Sequence, residues 1–168
     1  MRFIPFQEPH TDLLLEWLSK PHIKNVWQEN GSRDKIWAKY KNLPKRHVYP
    51  FVIEDEGQLI GYIQYYDATK VGGGCWPDEK TGTYGVDLMI GDATRTGKGQ
   101  GPKIIKEFLQ FVKAREPSAT SFIIDPEPSN ARAIRAFEKA GFEKERQLET
   151  PGGTALLMRL TCQRSKAT

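Results

Sequence analysis

The chain has 168 residues, and its 38% hydrophobic and 27% charged residues are proportions typical of a globular domain. No apolar run approaches the roughly 20 residues of a membrane-spanning helix, and Met1–Phe6 lacks the apolar core of a secretion signal. The two cysteines, Cys75 and Cys162, lack metal-ligand spacing. These observations predict one domain over residues 1–168, in the cytoplasm, with no metal and no membrane partner.

The formal net charge of +4 is unevenly distributed along the chain. Residues 51–92 hold eight acidic side chains against two basic ones, and residues 93–168 hold fourteen basic against eight acidic. An acidic middle suits a cationic ligand, and a basic C-terminal part suits an anionic one. The basic residues are dispersed and no nucleic-acid-reading motif occurs, so we expect no nucleic-acid partner. A monomer and a homodimer both remain open.

Apolar periodicity and capping residues predict a strand and three helices in the first part of the chain. These elements are Met1–Phe6, Thr11–Ser19 with Thr11 as N-cap, His22–Gln28, and a helix through Lys41 capped by Ser32. Two strands joined by Asp55-Glu56-Gly57 follow as a hairpin, Val48–Glu54 and Gln58–Tyr66.

The rest of the chain predicts a glycine-rich loop at Val71–Gly74 and then alternating strands and helices. These are the strand Thr83–Ile90, the helix Lys103–Ala114, the strand Thr120–Ile124, the helix Asn130–Ala140 stopped by Gly141, and the strands Phe142–Thr150 and Thr154–Leu160. This order predicts a mixed α/β fold of the α+β type.

The segment Thr96-Gly97-Lys98-Gly99-Gln100-Gly101 lies between a predicted strand and a predicted helix. Glycines let backbone N–H groups converge, and the helix N-terminus adds unpaired donors and the positive end of its dipole. Such a loop cradles a pyrophosphate, with Lys98 and Lys103 adding charge. The spacing differs from that of a P-loop or a dinucleotide fingerprint. The alternative is a flexible turn.

Two blocks of sequence resemble the GNAT family of acetyltransferases. Arg95–Gly101 is similar to the family's acetyl-CoA loop, except that Thr96 takes the first position and Arg95 falls one residue early. Pro128–Phe142 is similar to the family signature that opens on an asparagine, here Asn130, and ends in Gly-Phe. The resemblance implies a mostly antiparallel twisted sheet splayed at strand four and flanked by helices, with acetyl-CoA as co-substrate and Asn130 on its pantetheine arm.

The cofactor-binding residues that the resemblance implies lie in strand four, in the loop and in the signature helix. They are Leu88, Met89, Ile90, Thr96, Gly97, Lys98, Gly99, Gln100, Gly101, Lys103, Asn130, Ala133 and Phe137.

Asp87 is the candidate catalytic base. It interrupts the apolar strand Tyr84–Ile90, and a carboxylate in such a strand costs free energy unless it is paired or functional. Amide formation from a thioester needs a neutral amine, so a base must accept the ammonium proton. The alternative is a strand-end carboxylate that points to solvent.

Phe137 stands where many GNAT enzymes carry a tyrosine that protonates the leaving thiolate. Phenylalanine has no proton to donate, so water, another tyrosine or the substrate ammonium has to supply it. This departure also keeps open a non-catalytic acyl-CoA-binding protein.

A closer resemblance, to bacterial aminoglycoside 6′-N-acetyltransferases, spans most of the chain. The segments that carry it are Trp17-Leu18, His22-Ile23, Trp27, Ile60–Tyr66, Gly85–Asp87, Asp125–Asn130 and Thr150-Pro151. By position it implies a substrate pocket lined by Trp27, Gln64, Tyr66, Asp87 and Asp125. Asp78 and Glu79 are further candidates for the cationic substrate, or are solvated loop charges. Gly73 and Gly152 replace acidic positions of some relatives.

The sequence therefore predicts acetyl transfer from acetyl-CoA to the 6′-amino group of an aminoglycoside, by direct attack in a ternary complex. A polycation that carries many hydroxyls suits carboxylates and aromatic faces. The alternatives are a GNAT enzyme for another small amine or a peptide amine, and the non-catalytic acyl-CoA-binding protein.

Overall fold

The computed structural model describes residues 1–71, 76 and 78–163, and the chain forms two compact units. The first unit comprises Met1–Tyr66 and Asp87–Thr96, and the second comprises Asp67–Val86 and the chain from Gly97 onward. The single domain over residues 1–168 stays a prediction. Among the described helices, none combines the length and the apolar character needed to cross a membrane.

The first unit holds strands β1 (Arg2–Pro5), β2 (Val48–Asp55) and β3 (Gln58–Asp67), followed in the sheet by the second half of β4 (Thr83–Ile90). β1 pairs antiparallel with β2, and β2 pairs antiparallel with β3. The turn residues Glu56 and Gly57 have φ of 50° and 77°, the left-handed conformations that a two-residue hairpin turn needs. The predicted hairpin is confirmed, with each strand one residue longer.

Three helices follow β1 in the first unit: α1 (Thr11–Leu18), α2 (Pro21–Lys24) and α3 (Arg33–Tyr40). The predicted cap at Thr11 is wrong, because a 3-10 turn over Glu8–His10 precedes α1 and Thr11 is already helical and buried. The predicted helix His22–Gln28 is shorter, since α2 ends at Lys24. After it, the backbone N–H groups of Val26 and Trp27 share one acceptor, the Ile23 carbonyl. The cap of α3 is confirmed, since Ser32 Oγ accepts from Lys35 N at 3.4 Å.

The second unit holds the first half of β4, then β5 (Ser121–Ile124), β7 (Gly153–Thr161) and β6 (Glu143–Thr150), in that order. β4 and β5 are parallel and pair only from Thr83 to Gly85, whereas β5–β7 and β6–β7 are antiparallel. The short parallel pairing is what the predicted splaying of strand four requires. The mixed class and the final hairpin are confirmed.

Two helices complete the second unit, α4 (Gln100–Arg115) and α5 (Ala131–Ala140). α4 begins three residues before the predicted Lys103, because Gly99 at φ 74° ends the loop and Pro102 then fits the first turn. A proline there forfeits no helical hydrogen bond, since first-turn N–H groups have no partner within the helix.

Each unit has its own apolar interior. In the first unit the buried side chains include Leu14, Trp17, Ile36, Val52 and Tyr62. In the second unit the predicted apolar stripe of α4 is confirmed, because Ile104, Ile105, Phe108, Leu109 and Val112 are all buried. These interiors hold rigid the strands and helices that carry the candidate site residues.

Candidate functional site

Asp87 is held by a hydrogen bond from a side chain of the neighbouring strand. Gln64 Nε2 on β3 donates to Asp87 Oδ2 on β4 at 2.7 Å. Burial raises the pKa of Asp87 above its ordinary value, and the Gln64 hydrogen bond acts in the opposite direction. A half-buried carboxyl with a raised pKa is better matched to accepting a proton near neutral pH than a solvated one is.

Tyr62 extends this contact by one step. Its hydroxyl donates to Gln64 Oε1 at 2.6 Å, and its side chain is fully buried. Burial raises the pKa of Tyr62 well above its ordinary value, so the phenol keeps its proton. Tyr62, Gln64 and Tyr66 alternate along β3 and so share one face, which places Tyr62 beside two predicted site residues. The sequence analysis missed Tyr62, although this alternation indicates it.

An aromatic cluster surrounds Tyr62. The ring of Trp27 meets it edge-on at 5.5 Å, and the ring of Tyr40 does so at 5.6 Å. Burial raises the pKa of Tyr40 above its ordinary value. Tyr40 and Tyr62 are buried, whereas Trp27 is half-buried, so Trp27 is the ring of this cluster that a sugar ring could pack against. We refer to Trp27, Tyr40, Tyr62, Gln64 and Asp87 as the Asp87 cluster.

Glu29 brings a second carboxylate to the same cluster. Its Oε2 accepts from the Tyr40 hydroxyl at 3.3 Å and lies 2.6 Å from Lys39 Nζ. The charges of Glu29 and Asp87 both act on Tyr40 and Tyr62. Two carboxylates thus act on one set of aromatic rings, although Lys39 offsets the charge of Glu29. No local pattern indicates Glu29, because it lies outside any helix or strand.

Tyr66 and the last residues of β4 are buried or half-buried. Tyr66 is 7% exposed. Met89 is buried, whereas Leu88 and Ile90 are half-buried. His22 Nε2 lies 3.0 Å from the Ile90 carbonyl, so that nitrogen donates to it. The Ile90 carbonyl therefore already accepts a hydrogen bond, and the predicted contacts of Leu88, Met89 and Ile90 with acetyl-CoA stay predictions.

The first unit ends at the start of the glycine loop. Thr96 Oγ1 donates to the Ala93 carbonyl at 2.7 Å. Arg95 Nη1 pairs with Asp55 at 3.1 Å and Nη2 donates to Gln58 at 3.1 Å, both beside the β2–β3 turn. Arg95 therefore attaches this segment to the β2–β3 hairpin.

In the second unit the loop continues into α4. Gly97 and Gly99 have φ of 78° and 74°, which L-residues adopt only with strain, and a Cβ at either would meet nothing within 4 Å. The Lys98 side chain is exposed, as is that of Lys103, which lies 3.9 Å from Glu107. Open backbone, two lysines and a helix N-terminus are the components of an anion cradle.

Gln100 differs from the other loop residues. Its Oε1 is buried and has no hydrogen-bond partner in the described part of the chain. Gly101 follows it and faces α5, where an added Cβ would lie 3.6 Å from the Ala136 side chain. The two helices therefore pack closely at this point, and α5 stands beside the start of α4.

Asn130 caps α5. Its Oδ1 accepts from the Ala133 backbone N–H at 3.2 Å, so the amide NH₂ is the end that the predicted pantetheine contact would use. The helix ends at Gly141 with φ 106°, as predicted. Phe137 is 8% exposed and packs edge-on against Phe142 at 6.2 Å. The roles of Ala133, Asn130 and Phe137 toward acetyl-CoA stay predictions.

The three remaining predicted carboxylates lie in the second unit. Asp125 follows β5 and is half-buried, and Asp78 is exposed in a turn. Glu79 is paired with Arg159 of β7 at 2.7 Å, and Arg159 also meets Glu145 at 2.9 Å. Any contact of Glu79 with a cation would have to compete with Arg159. Gly73 and Cys75 lie outside the described residues.

No group of three metal-ligating side chains occurs among residues 1–71, 76 and 78–163. Most of the candidate residues lie in or beside the Asp87 cluster in the first unit, or in the glycine loop, α4 and α5 in the second.

Sequence comparisons identify relatives that match most of the chain. The profile of the acetyltransferase (GNAT) domain matches residues 7–150. The chain is 35% identical over 152 residues to the aminoglycoside N(6′)-acetyltransferase type 1 of Klebsiella pneumoniae, covering 87% of this chain and 75% of that protein. It is 40% identical over 87 residues to the kanamycin resistance protein of Rhizobium radiobacter, covering 51% and 80%.

The solved structures that resemble this chain include proteins of the same kind as these relatives. The aminoglycoside acetyltransferase AAC(6′)-Ib in complex with coenzyme A matches with a TM-score of 0.89 at 34% identity, covering 95% of this chain and 93% of that one. Its complex with coenzyme A and kanamycin matches with a TM-score of 0.88 at 34% identity, with the same coverage. The fold predicted from the sequence is confirmed.

Proposed function

The chain belongs to the GNAT acetyltransferase family, and we propose that it transfers an acetyl group from acetyl-CoA to the 6′-amino group of aminoglycosides. One observation carries the choice of substrate: the Asp87 cluster places a hydrogen-bonded carboxyl in one group with the half-buried ring of Trp27, which packs edge-on against the buried Tyr62. A cationic amino sugar needs both a carboxylate for its ammonium group and aromatic faces for its rings.

The relatives support this choice of substrate. Similar proteins carry the names aminoglycoside N(6′)-acetyltransferase and kanamycin resistance protein, and a similar structure contains both coenzyme A and kanamycin. The matched residues 7–150 include every residue of the Asp87 cluster.

In the proposed reaction Asp87 accepts a proton from the substrate ammonium. The freed amine nitrogen bonds to the thioester carbonyl carbon, and the carbon–sulfur bond then breaks. Coenzyme A leaves as the thiolate, which takes up a proton that Phe137 cannot supply. The raised pKa of Asp87 brings its proton affinity closer to neutral pH, where general-base transfer is efficient.

In the second unit we propose that the loop Gly97–Gly101 and the N-terminus of α4 bind the pyrophosphate of acetyl-CoA. Lys98 and Lys103 contribute positive charge, and both side chains are exposed enough to reach an anion. The NH₂ group of Asn130 binds a carbonyl of the pantetheine arm. In the first unit Trp27, Gln64, Tyr66 and Asp87 contact the aminoglycoside. The predicted substrate contacts of Asp125, Asp78 and Glu79, which lie in the second unit, stay predictions.

Thiol release from acetyl-CoA tests the proposal. The amines are an aminoglycoside with a 6′-amino group, a matched one with a 6′-hydroxyl, spermidine and a peptide amine. We expect turnover of the first alone, with N-acetylation at the 6′ position by mass spectrometry and NMR. Turnover of spermidine or the peptide instead would overturn the substrate assignment and leave the family unchanged.

Asp87→Asn identifies the base in the same assay. The asparagine oxygen can still accept from Gln64, so the side chain keeps its position while losing its proton affinity. We expect kcat to fall about 10²-fold or more. A loss below about threefold would exclude Asp87 as the base.

A further inference from the structure

A chain of two hydrogen bonds leads from a buried phenol to the proposed base. Tyr62 Oη donates to Gln64 Oε1 at 2.6 Å, and Gln64 Nε2 donates to Asp87 Oδ2 at 2.7 Å. Tyr62 and Asp87 are thus linked through the two ends of one amide. From this geometry we propose that Tyr62 is a positioning residue, which fixes the orientation of the Gln64 amide and thereby keeps Asp87 ready to accept a proton. This inference rests on the proposed function, because it assigns Asp87 the role of base.

A glutamine amide has two ends of similar shape and opposite hydrogen-bonding character. An ionised carboxylate only accepts hydrogen bonds, so it requires the NH₂ end. Tyr62 requires the oxygen end of the amide, since its neutral phenol donates its hydrogen to Gln64 Oε1. Both neighbours of Gln64 therefore select the same orientation while Asp87 is ionised.

Protonation of Asp87 weakens this agreement. A protonated carboxyl can donate its new hydrogen to Gln64 only if the amide turns its oxygen toward Asp87. That rotation takes Oε1 away from Tyr62 and leaves the phenol hydrogen in a fully buried position without that acceptor. The Tyr62 contact therefore opposes protonation of Asp87, whereas burial of the carboxyl favours it.

The other charged groups that act on the cluster do not replace this effect. Glu29 and Tyr40 act electrostatically on Tyr62, and Lys39 is paired with Glu29. The Tyr62–Gln64 hydrogen bond is a direct contact, and its removal changes one atom and no charge. Tyr62→Phe is therefore a clean test of the orientation.

Tyr65→Phe is the matched control. Tyr65 is in the same strand, is 1% exposed and stacks on Tyr49 at 4.8 Å, so its side chain is on the opposite face of β3 from Gln64. Both variants remove one hydroxyl from a buried ring of one strand. A general loosening of β3 would affect the two variants alike.

The primary measurement is a ¹³C carboxyl titration of Asp87 in the free full-length protein, with the resonance assigned from Asp87→Asn. We expect Tyr62→Phe to shift the Asp87 midpoint upward by about half a pH unit or more, and Tyr65→Phe to leave it within about 0.2 unit. The acid limb of kcat/KM for the aminoglycoside should move by the same amount. An unchanged Asp87 midpoint in Tyr62→Phe would overturn the proposal.

A double-mutant cycle shows whether Tyr62→Phe acts on Asp87 through Gln64 or by destabilising the protein in general. Gln64→Leu removes the amide, so adding Tyr62→Phe to it should leave the Asp87 midpoint unchanged. An equal shift on both backgrounds would show that Tyr62 acts independently of Gln64, and would reject the inference. The titration needs no substrate. If the protein does not acetylate aminoglycosides, the proposed function is overturned, whereas the effect of Tyr62 on the Asp87 midpoint is still measured in the free protein.

Discussion

Arg159 and Glu79 lie 80 residues apart in the chain and form a two-pronged ion pair, with Nη2 2.7 Å from Oε1 and Nη1 3.0 Å from Oε2. The Glu79 side chain is 9% exposed and that of Arg159 is 23% exposed. Arg159 also donates to Glu145 at 2.9 Å. One guanidinium thus attaches the segment before β4 to the last two strands of the second unit.

Replacing Arg159 by Met should destabilise the protein. Glu79 would keep its charge in a nearly buried position without its cation, and we expect the free energy of unfolding to fall by about 2 kcal/mol, less than for a fully buried pair. Urea denaturation measures the change. Lys144→Met is the control, because the Lys144–Glu138 pair at 3.4 Å is exposed and should matter by less than about 0.5 kcal/mol. Equal effects of the two variants would contradict the prediction.

The raised pKa of Asp87 has a consequence for stability. The folded state binds this proton more readily than the unfolded state, so the group's contribution is present at acidic pH and is lost as pH rises through the raised pKa. Asparagine does not ionise, so Asp87→Asn removes the loss of stability that the wild type shows as pH rises. We expect the variant to exceed the wild type in Tm near neutral pH, with the difference shrinking as pH falls below the ordinary aspartate range.

Asp92→Asn is expected to change Tm near neutral pH in the opposite direction to Asp87→Asn. Hydrogen bonds from the Thr94 side chain and backbone lower the pKa of Asp92, so its contribution is present at neutral pH and is lost as pH falls. Thermal melts across a pH series should therefore show the two variants deviating from the wild type in opposite directions. Deviations of the same sign would reject the account of Asp87.

The glycine loop allows a test that separates cofactor binding from backbone strain. Gly99 has φ 74° and Gly57 has φ 77°, and a Cβ at either position would meet nothing within 4 Å. An alanine at either position should therefore cost a similar free energy of folding, about 1 kcal/mol. Only Gly99→Ala should raise the KM for acetyl-CoA, by about tenfold, because its Cβ would occupy the proposed pyrophosphate cradle. A similar rise in the KM for acetyl-CoA in Gly57→Ala would show that the effect does not come from the proposed pyrophosphate cradle.

Gly91 is a position where packing, and not conformation, requires glycine. A Cβ at Gly91 would overlap the indole ring of Trp17, which is 3% exposed and held within the first unit. We expect Gly91→Ala to lower the free energy of unfolding by about 2 kcal/mol, as overpacking does. In Gly152→Ala the nearest atom is 3.8 Å away, and this variant should stay within about 0.5 kcal/mol of the wild type. Denaturant midpoints compare the two.

Much of the fold follows from patterns that act over a few residues. The hairpin turn before Gln58, the cap at Ser32 and the stop at Gly141 all appear where the sequence places them. The sequence alone errs where one local preference competes with another. Thr11 has the chemistry of a cap, yet a preceding 3-10 turn moves it inside α1.

The sequence by itself determined the fold class, because periodicity, caps and glycine spacing are local properties of the chain. Its resemblance to known acetyltransferases indicated the family and most candidate residues. The tertiary structure decided which partner each charge has: Gln64 for Asp87, and Arg159 for Glu79. These partners lie 23 and 80 residues away along the chain. Contacts at such separations depend on strand order and register, which result from the packing of the whole sheet and are not encoded in any short segment.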